Sequence, residues 1–175
     1  RKWLYLINHR RDGDIVEVYQ LNKDETIATL TDEVQSPLFV LINDLKPVLL
    51  DSSIKPNRIG FYVANSCGFR LKTKLNQLET VLGAATSDLL FCEPDTTQYK
   101  DRYDDKNVYK PQWKCKIVDT NIAFGNGVEI SVDGKEVYAV ESTASNMRVY
   151  HRNLKDNTLT RKMDVHIPTI GDNFY

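Results

Sequence analysis

Phe124-Gly125-Asn126-Gly127-Val128-Glu129-Ile130-Ser131-Val132-Asp133-Gly134-Lys135-Glu136-Val137-Tyr138-Ala139-Val140 is the stretch that decides how this sequence is read. Val128, Ile130 and Val132 alternate with more polar residues, Asp133-Gly134 marks a tight turn, and Val137, Tyr138 and Val140 resume as a second strand. Asp-Gly between two such runs signals a hairpin, because both central residues of a type I′ turn need positive φ. Ahead of it, Gly125-Asn126-Gly127 sets an amide side chain between two residues without Cβ, where backbone bends sharply and a ligand can come close. The same three residues also suit an ordinary turn or bulge.

Outward from this hairpin the same grammar recurs. Trp3–Ile7, Ile15–Leu21 and Thr26–Thr31 read as strands joined by the polar turns Arg10–Asp14 and Asn22–Glu25. Glu129–Ser131, Val137–Glu141, Met147–His151 and Leu159–Met163 repeat the pattern near the other end. Two meanders this far apart suggest repeated four-stranded sheets, as in a propeller of about three or four blades at roughly 40–50 residues each. Asp88–Cys92 reads as a further strand, followed by an exposed polar loop from Glu93 to Pro111. One segment departs from this grammar. Leu71, Leu75, Leu78 and Leu82 fall at helical spacing with Gly83 placed to end the run, which predicts an amphipathic helix over 71–82 laid on the sheet.

Composition bounds the function. The chain has 175 residues, 41% hydrophobic and 27% charged, which suits one globular domain with a sizeable core. A formal net charge of −1 carries no nucleic-acid footprint or polybasic membrane patch. No apolar run approaches the roughly 20 residues a membrane span needs. The chain opens on Arg1 with neither Met nor a signal-peptide pattern, and stops at Tyr175 just past a Gly-Asp-Asn turn, so a single partial domain of a longer protein is expected. Cys67, Cys92 and Cys115 form no C-x-x-C pair; small buried thiols are expected, with a bridge between two of them left open. There is no N-x-S/T sequon.

The sequence holds no G-x-S-x-G elbow, no P-loop and no H-E-x-x-H. What it holds are amide and carboxylate groups at strand ends: Asn43-Asp44, Gly125-Asn126-Gly127 and Gly171-Asp172-Asn173. Neutral amide oxygens mixed with a few carboxylates suit calcium, which takes about 6–8 oxygen ligands at roughly 2.3–2.6 Å. Asn and Asp are also good turn residues, so spacing alone leaves both accounts open.

Ile42-Asn43-Asp44, Phe61-Tyr62-Val63-Ala64-Asn65, Phe124-Gly125-Asn126-Gly127, Val132–Tyr138 and Gly171-Asp172-Asn173, in that order, resemble the paraoxonase/arylesterase family. Leu6-Ile7-Asn8-His9 and Val16–Tyr19 fit it as well, so the resemblance covers nearly the whole chain. It implies an all-β, six-bladed β-propeller, of which this chain is an incomplete part of about three to four blades, with one inserted amphipathic helix. Two calcium ions would lie in its tunnel, and its substrates would be lactones, aryl esters and sometimes organophosphates. By the same resemblance Asn43, Asn126, Asp172 and Asn173 bind the catalytic calcium and Asp44 the structural one. His9 matches the second member of a histidine dyad, supporting the base that activates water, and Phe124 lines the substrate pocket. The helix 71–82 would occupy the place of a family helix that borders the active site and in some members contacts lipid. Secretion or membrane association is implied too, although this chain contains no targeting segment.

Departures are also visible. The family usually continues Asn65 with Asp-His, whereas this chain reads Ser66-Cys67-Gly68, and the loop 93–111 is longer than its counterpart. The acidic calcium ligand and the primary histidine fall upstream of Arg1, so these residues alone are expected to hydrolyse lactones poorly. Two alternatives stand beside the leading reading: a gluconolactonase-like propeller hydrolase, and a non-catalytic propeller that serves as a binding scaffold.

Overall fold

The computed structural model describes residues 2–50, 59–68, 74–95 and 112–174, with helix side chains from residue 77 onward. Within these residues the chain forms eleven strands and one helix: β1 (Lys2–Arg10), β2 (Gly13–Leu21), β3 (Ala28–Val34), β4 (Ile42–Leu49), β5 (Ile59–Asn65), α1 (Lys74–Leu82), β6 (Ala85–Pro94), β7 (Trp113–Ala123), β8 (Gly125–Ile130), β9 (Glu136–Glu141), β10 (Asn146–Arg152) and β11 (Leu159–His166). They pair in chain order into three antiparallel meanders, β1-β2-β3, β4-β5-β6-β7 and β8-β9-β10-β11. Most strands expected from alternation fall inside these ranges. Two are displaced: β3 starts two residues after Thr26 and runs on to Val34, and β8 ends at Ile130, one residue short of Ser131.

Two apolar layers show how the sheets stack. Phe61 and Val63 of β5 pack with Val16, Val18, Val34, Ile42 and Leu90 between the first and second sheets. Tyr62 and Ala64, the alternate residues, pack with Phe91, Val128, Val137, Ala139 and Tyr150 between the second and third. Successive side chains of a strand point to opposite faces, so β5 serves both layers and is buried on both. That is why Phe61-Tyr62-Val63-Ala64 reads as a continuous apolar run without alternation.

Four expectations change. Asp133-Gly134 turns the β8–β9 hairpin, but only Gly134 takes positive φ, +71°. Gly134 N–H donates to the Ser131 carbonyl at 2.8 Å, and Asp133 Oδ1 accepts the Ser131 hydroxyl at 2.7 Å and Lys135 N–H at 3.1 Å. The aspartate thus acts as an acceptor within the turn rather than as a second left-handed residue. The loop expected from Glu93 starts later, because β6 runs to Pro94, pairing with Trp113; residues 96–111 lie outside the described residues.

Helix α1 ends at Gly83 as expected, with φ +62° there. Its apolar face is not laid on the sheet: Leu78 is 51% and Leu82 69% exposed, whereas Glu79 is buried. The Glu79 carboxylate accepts the Thr86 hydroxyl and Gly68 N–H, so a polar anchor turns the Glu79 face inward. Leu71 and the side chain of Leu75 lie outside the described residues. Finally, Cys92 and Cys115 are joined in a disulfide, leaving Cys67 as a free buried thiol. The β6–β7 register sets the two half-cystines directly opposite each other, with Cα atoms 4.1 Å apart.

Candidate metal centre

Two bulky residues in the left-handed region introduce the candidate ligands. Leu41 (φ +51°) precedes Ile42-Asn43-Asp44, and Phe124 (φ +55°) precedes Gly125-Asn126-Gly127. Such a conformation costs about 1–3 kcal/mol for a non-glycine residue and persists where the surroundings over-determine it. Here they do. Leu41 and Phe124 each accept a backbone N–H from across the sheet, from Ser66 at 2.9 Å and Ser142 at 3.1 Å.

From these turns a hydrogen-bonded path joins the expected site residues. His9 Nδ1 meets Asp14 Oδ1 at 2.9 Å, and Asp14 Oδ2 accepts Ile42 N–H at 2.8 Å. Asn43 Nδ2 donates to Ser66 Oγ at 3.1 Å, and Ser66 Oγ donates to the Gly125 carbonyl at 3.1 Å. Asn126 Nδ2 donates to Ser142 Oγ at 3.1 Å, and Ser142 Oγ donates to the Gly171 carbonyl at 2.5 Å. Gly127 seats the last segment: a Cβ there would lie 2.6 Å from the Asp172 carbonyl oxygen and 3.0 Å from Asn173 Cα. Gly125 is equally closed, since a Cβ on it would lie 2.4 Å from the Asn65 carbonyl oxygen. Turns widely spaced in sequence therefore meet at the strand ends, with His9 tied to them through Asp14.

Their environments differ. Asn126 is buried, Phe124 is partly buried, and Asn43, Asp172, Asn173 and His9 are exposed. Asp44 braces two sheets: Oδ2 accepts Val128 N–H and Oδ1 its neighbour Leu45 N–H, both at 2.8 Å. Burial pushes the Asp44 carboxyl above its ordinary value, and these two amides pull the other way. Cys67, at the position where a histidine was expected, has its thiol pushed up by burial and by the Glu79 carboxylate, so it lacks the thiolate character of a nucleophile.

The donor set fits a hard cation. Asn126 Oδ1 is buried and has no hydrogen-bond partner, an uncommon state for an amide oxygen and one that a cation would relieve. Among the described residues no group of three or more His, Cys, Asp or Glu is assembled as a metal site. The candidate oxygens are those of amides and carboxylates, which suits calcium better than zinc or copper. A depression of 610 Å³ beside Ser131, Asp133, Glu136 and His151 shares no lining residue with the site, and a groove of 370 Å³ along β1 reaches Asp44.

Asp14 and Ser142 are the participants that sequence reading passed over. Asp14 looks like one more polar turn residue beside Asp12 and Gly13, and Ser142 like the start of a Ser-rich turn. Only strand register brings each against its partner.

Fold and site together define a meandering β-sheet protein whose inter-sheet turns are linked by asparagine and serine hydrogen bonds, with a carboxylate-bound histidine joined to them through Asp14. The chain belongs to the arylesterase family, which it matches over residues 1–175. It is 26% identical to serum paraoxonase/arylesterase 1 of Mus musculus over 171 residues, 98% of this chain and 40% of that protein. It is 25% identical to the Homo sapiens protein of the same name over 171 residues, and 26% identical to serum paraoxonase/lactonase 3 of Oryctolagus cuniculus over 172. The chain spans 40% of the length of these relatives.

Proposed function

We propose that the complete protein hydrolyses lactones and aryl esters at a calcium centre, and that this chain supplies most of the amide ligands as part of a six-bladed propeller. The observation that carries the reading is the buried, unpartnered Oδ1 of Asn126, set where Gly127 closes on Asp172 and Asn173. Asn43, Asn126, Asp172 and Asn173 would hold the catalytic ion. A second ion would take Asp44 through the lone pairs that the Val128 and Leu45 amides leave. Bound mostly by neutral amides, a calcium ion would keep much of its charge and would supply Lewis-acid polarisation of the ester carbonyl.

The chain's own residues position and relay. An ionised Asp14 only accepts hydrogen bonds, so it holds the proton of His9 on Nδ1 and leaves Nε2 as an acceptor. That nitrogen takes a proton passed from the group that deprotonates water. Phe124, fixed by its strained backbone, offers an aromatic wall to the acyl or aryl part of the substrate. Leu78, Val81 and Leu82, exposed on α1, support a lipid or membrane-surface contact. The relatives' names carry the word serum, which supports secretion.

The family match favours this reading over the gluconolactonase-like alternative. A non-catalytic scaffold draws its support from one observation, Ser66-Cys67 in the place of a carboxylate and an imidazole. Turnover decides between them. The complete protein should hydrolyse phenyl acetate and a δ-lactone in calcium and lose that activity in chelator, whereas residues 1–175 alone should show little. Binding of lactone without hydrolysis at saturating calcium would leave the scaffold.

A further inference from the structure

The second and third sheets carry the same three-bond bracket. In the second, Val40 N–H donates to Asn65 Oδ1 (2.9 Å), Ser66 N–H donates to the Leu41 carbonyl (2.9 Å), and Asn43 Nδ2 donates to Ser66 Oγ (3.1 Å). In the third, Ala123 N–H donates to Glu141 Oε1 (3.1 Å), Ser142 N–H donates to the Phe124 carbonyl (3.1 Å), and Asn126 Nδ2 donates to Ser142 Oγ (3.1 Å). The positions correspond one to one. A left-handed residue stands two before the asparagine, and the serine is the first residue past the second strand of its sheet. Asn65, Ser66, Glu141 and Ser142 are all at most 4% exposed.

Each serine then passes its own proton to the following repeat. Ser66 Oγ donates to the Gly125 carbonyl and Ser142 Oγ to that of Gly171, in both cases the residue just before the next candidate ligand, Asn126 or Asp172. Asn43, Asn126 and Asp172 are thereby equivalent positions of three successive repeats. A hydroxyl has one proton. Once that proton is committed to a backbone carbonyl, the oxygen can only accept, so the amide edge facing it must be NH₂. The carbonyl edge must face the other way.

We propose that Ser66 and Ser142 are positioning residues that fix the amide orientation of Asn43 and Asn126 and so present their oxygens for cation binding. The buried, unpartnered Oδ1 of Asn126 is what such an orientation produces. Ser66 also gives a physical account of the departure at this position: a hydroxyl can both accept from Asn43 and donate to Gly125, and an ionised aspartate cannot donate. Gly171 completes the handover, since a Cβ on it would lie 2.6 Å from Val140 Cγ1 and 2.7 Å from Ile167 Cδ1.

This inference rests on the calcium reading, and the test separates the two. In the complete protein, calcium affinity is measured by titration calorimetry for the parent, Ser142→Thr, Ser142→Val and Asn126→Ala, with thermal midpoints in chelator alongside. Thr and Val have nearly the same volume, so a packing defect strikes both and only the hydroxyl distinguishes them. Ser142→Thr should bind within about threefold of the parent and Ser142→Val about tenfold more weakly, within the range that outer-shell partners contribute. Asn126→Ala should lose more than Ser142→Val. Equal affinities for Thr and Val beside a weakened Asn126→Ala would overturn the positioning role alone. An unchanged Asn126→Ala would overturn the calcium reading and the bracket's purpose with it. Ser66→Thr and Ser66→Val repeat the comparison at Asn43.

Discussion

Asp14→Asn tests the histidine half of the site most sharply. The Asp14 side chain is 5% exposed and accepts two hydrogen bonds, one from His9 Nδ1 and one from Ile42 N–H. Asparagine has a single oxygen. If that oxygen faced His9, Nδ2 would oppose the N–H of fully buried Ile42, leaving a donor unsatisfied at a cost of about 1–3 kcal/mol. The His9 side chain is 47% exposed and can change tautomer, so the oxygen stays with Ile42 and Nδ2 faces the ring. Nδ1 must then accept, and its proton moves to Nε2, the nitrogen that the mechanism needs bare. The same substitution in a serine-hydrolase triad costs about 10⁴ in kcat. For a half-exposed histidine that can turn, we expect about 10² in kcat/KM, or about 2.7 kcal/mol of transition-state stabilisation, with little change in KM. Stability should fall by about 1–2 kcal/mol, because a charge-assisted bond to Ile42 becomes a neutral one. The assay pairs phenyl acetate kinetics on the complete protein with ¹⁵N NMR of the His9 tautomer and urea unfolding. A variant whose proton has moved to Nε2 yet whose kcat/KM stays within threefold of the parent would refute the reasoning.

Other perturbations follow from the same geometry. Arg148 is buried and donates to Asp119 Oδ2 at 2.8 Å and Glu141 Oε1 at 2.6 Å, so Arg148→Met should cost about 3–5 kcal/mol in urea at pH 7. Burial works to raise both carboxyls, but hydrogen bonds from Tyr150 and Arg148 to Asp119, and from Arg148 and Asn146 to Glu141, hold them below their ordinary values. Their contribution is therefore present above the ordinary carboxylate range and lost as pH falls through the depressed values, so the Arg148→Met deficit should shrink towards pH 3 in the same titration. Reducing Cys92–Cys115, which are 23 positions apart, should lower unfolding stability by about 3 kcal/mol, and alkylation without reductant under denaturing conditions should label Cys67 alone. Gly127→Ala would drive a methyl into the Asp172 carbonyl, and calorimetry should show calcium affinity down by at least about tenfold with the core intact.

The strands were legible because alternation and turn residues are local signals. Val128, Ile130 and Val132 announce a period of two, and Asp133-Gly134 announces the turn. What was not legible depends on partners distant in sequence. Leucine spacing pointed to α1, yet the buried residue among its described side chains is Glu79, because Gly68 and Thr86 offer donors that no periodicity reveals. Cys92 met Cys115 through strand register, and cysteine spacing carries no trace of that. At the site, Asn43, Asn126 and Asp172 were reached through family resemblance, since an asparagine in a turn is unremarkable by itself. Asp14, Ser66 and Ser142 could not be assigned roles from one sequence. Each works through a hydroxyl or carboxylate that bridges two turns, and which turns meet is a tertiary fact.

Register also links the core to the site. Along β5, Phe61 and Val63 enter one apolar layer and Tyr62 and Ala64 the other, and the strand then delivers Asn65 and Ser66 to the candidate ligand turns. Along β9, Val137 and Ala139 enter the shared layer, and Glu141 and Ser142 then reach the Phe124–Asn126 turn. A slip of one residue in either strand would exchange its faces, and in β5 it would remove the Tyr62 hydroxyl from the Asn157 carbonyl, 2.9 Å away. It would equally carry the serine off its asparagine. The packing that excludes a slip is therefore also what holds each amide in one orientation, and a core substitution such as Val63→Ala can loosen the bracket without touching any candidate ligand.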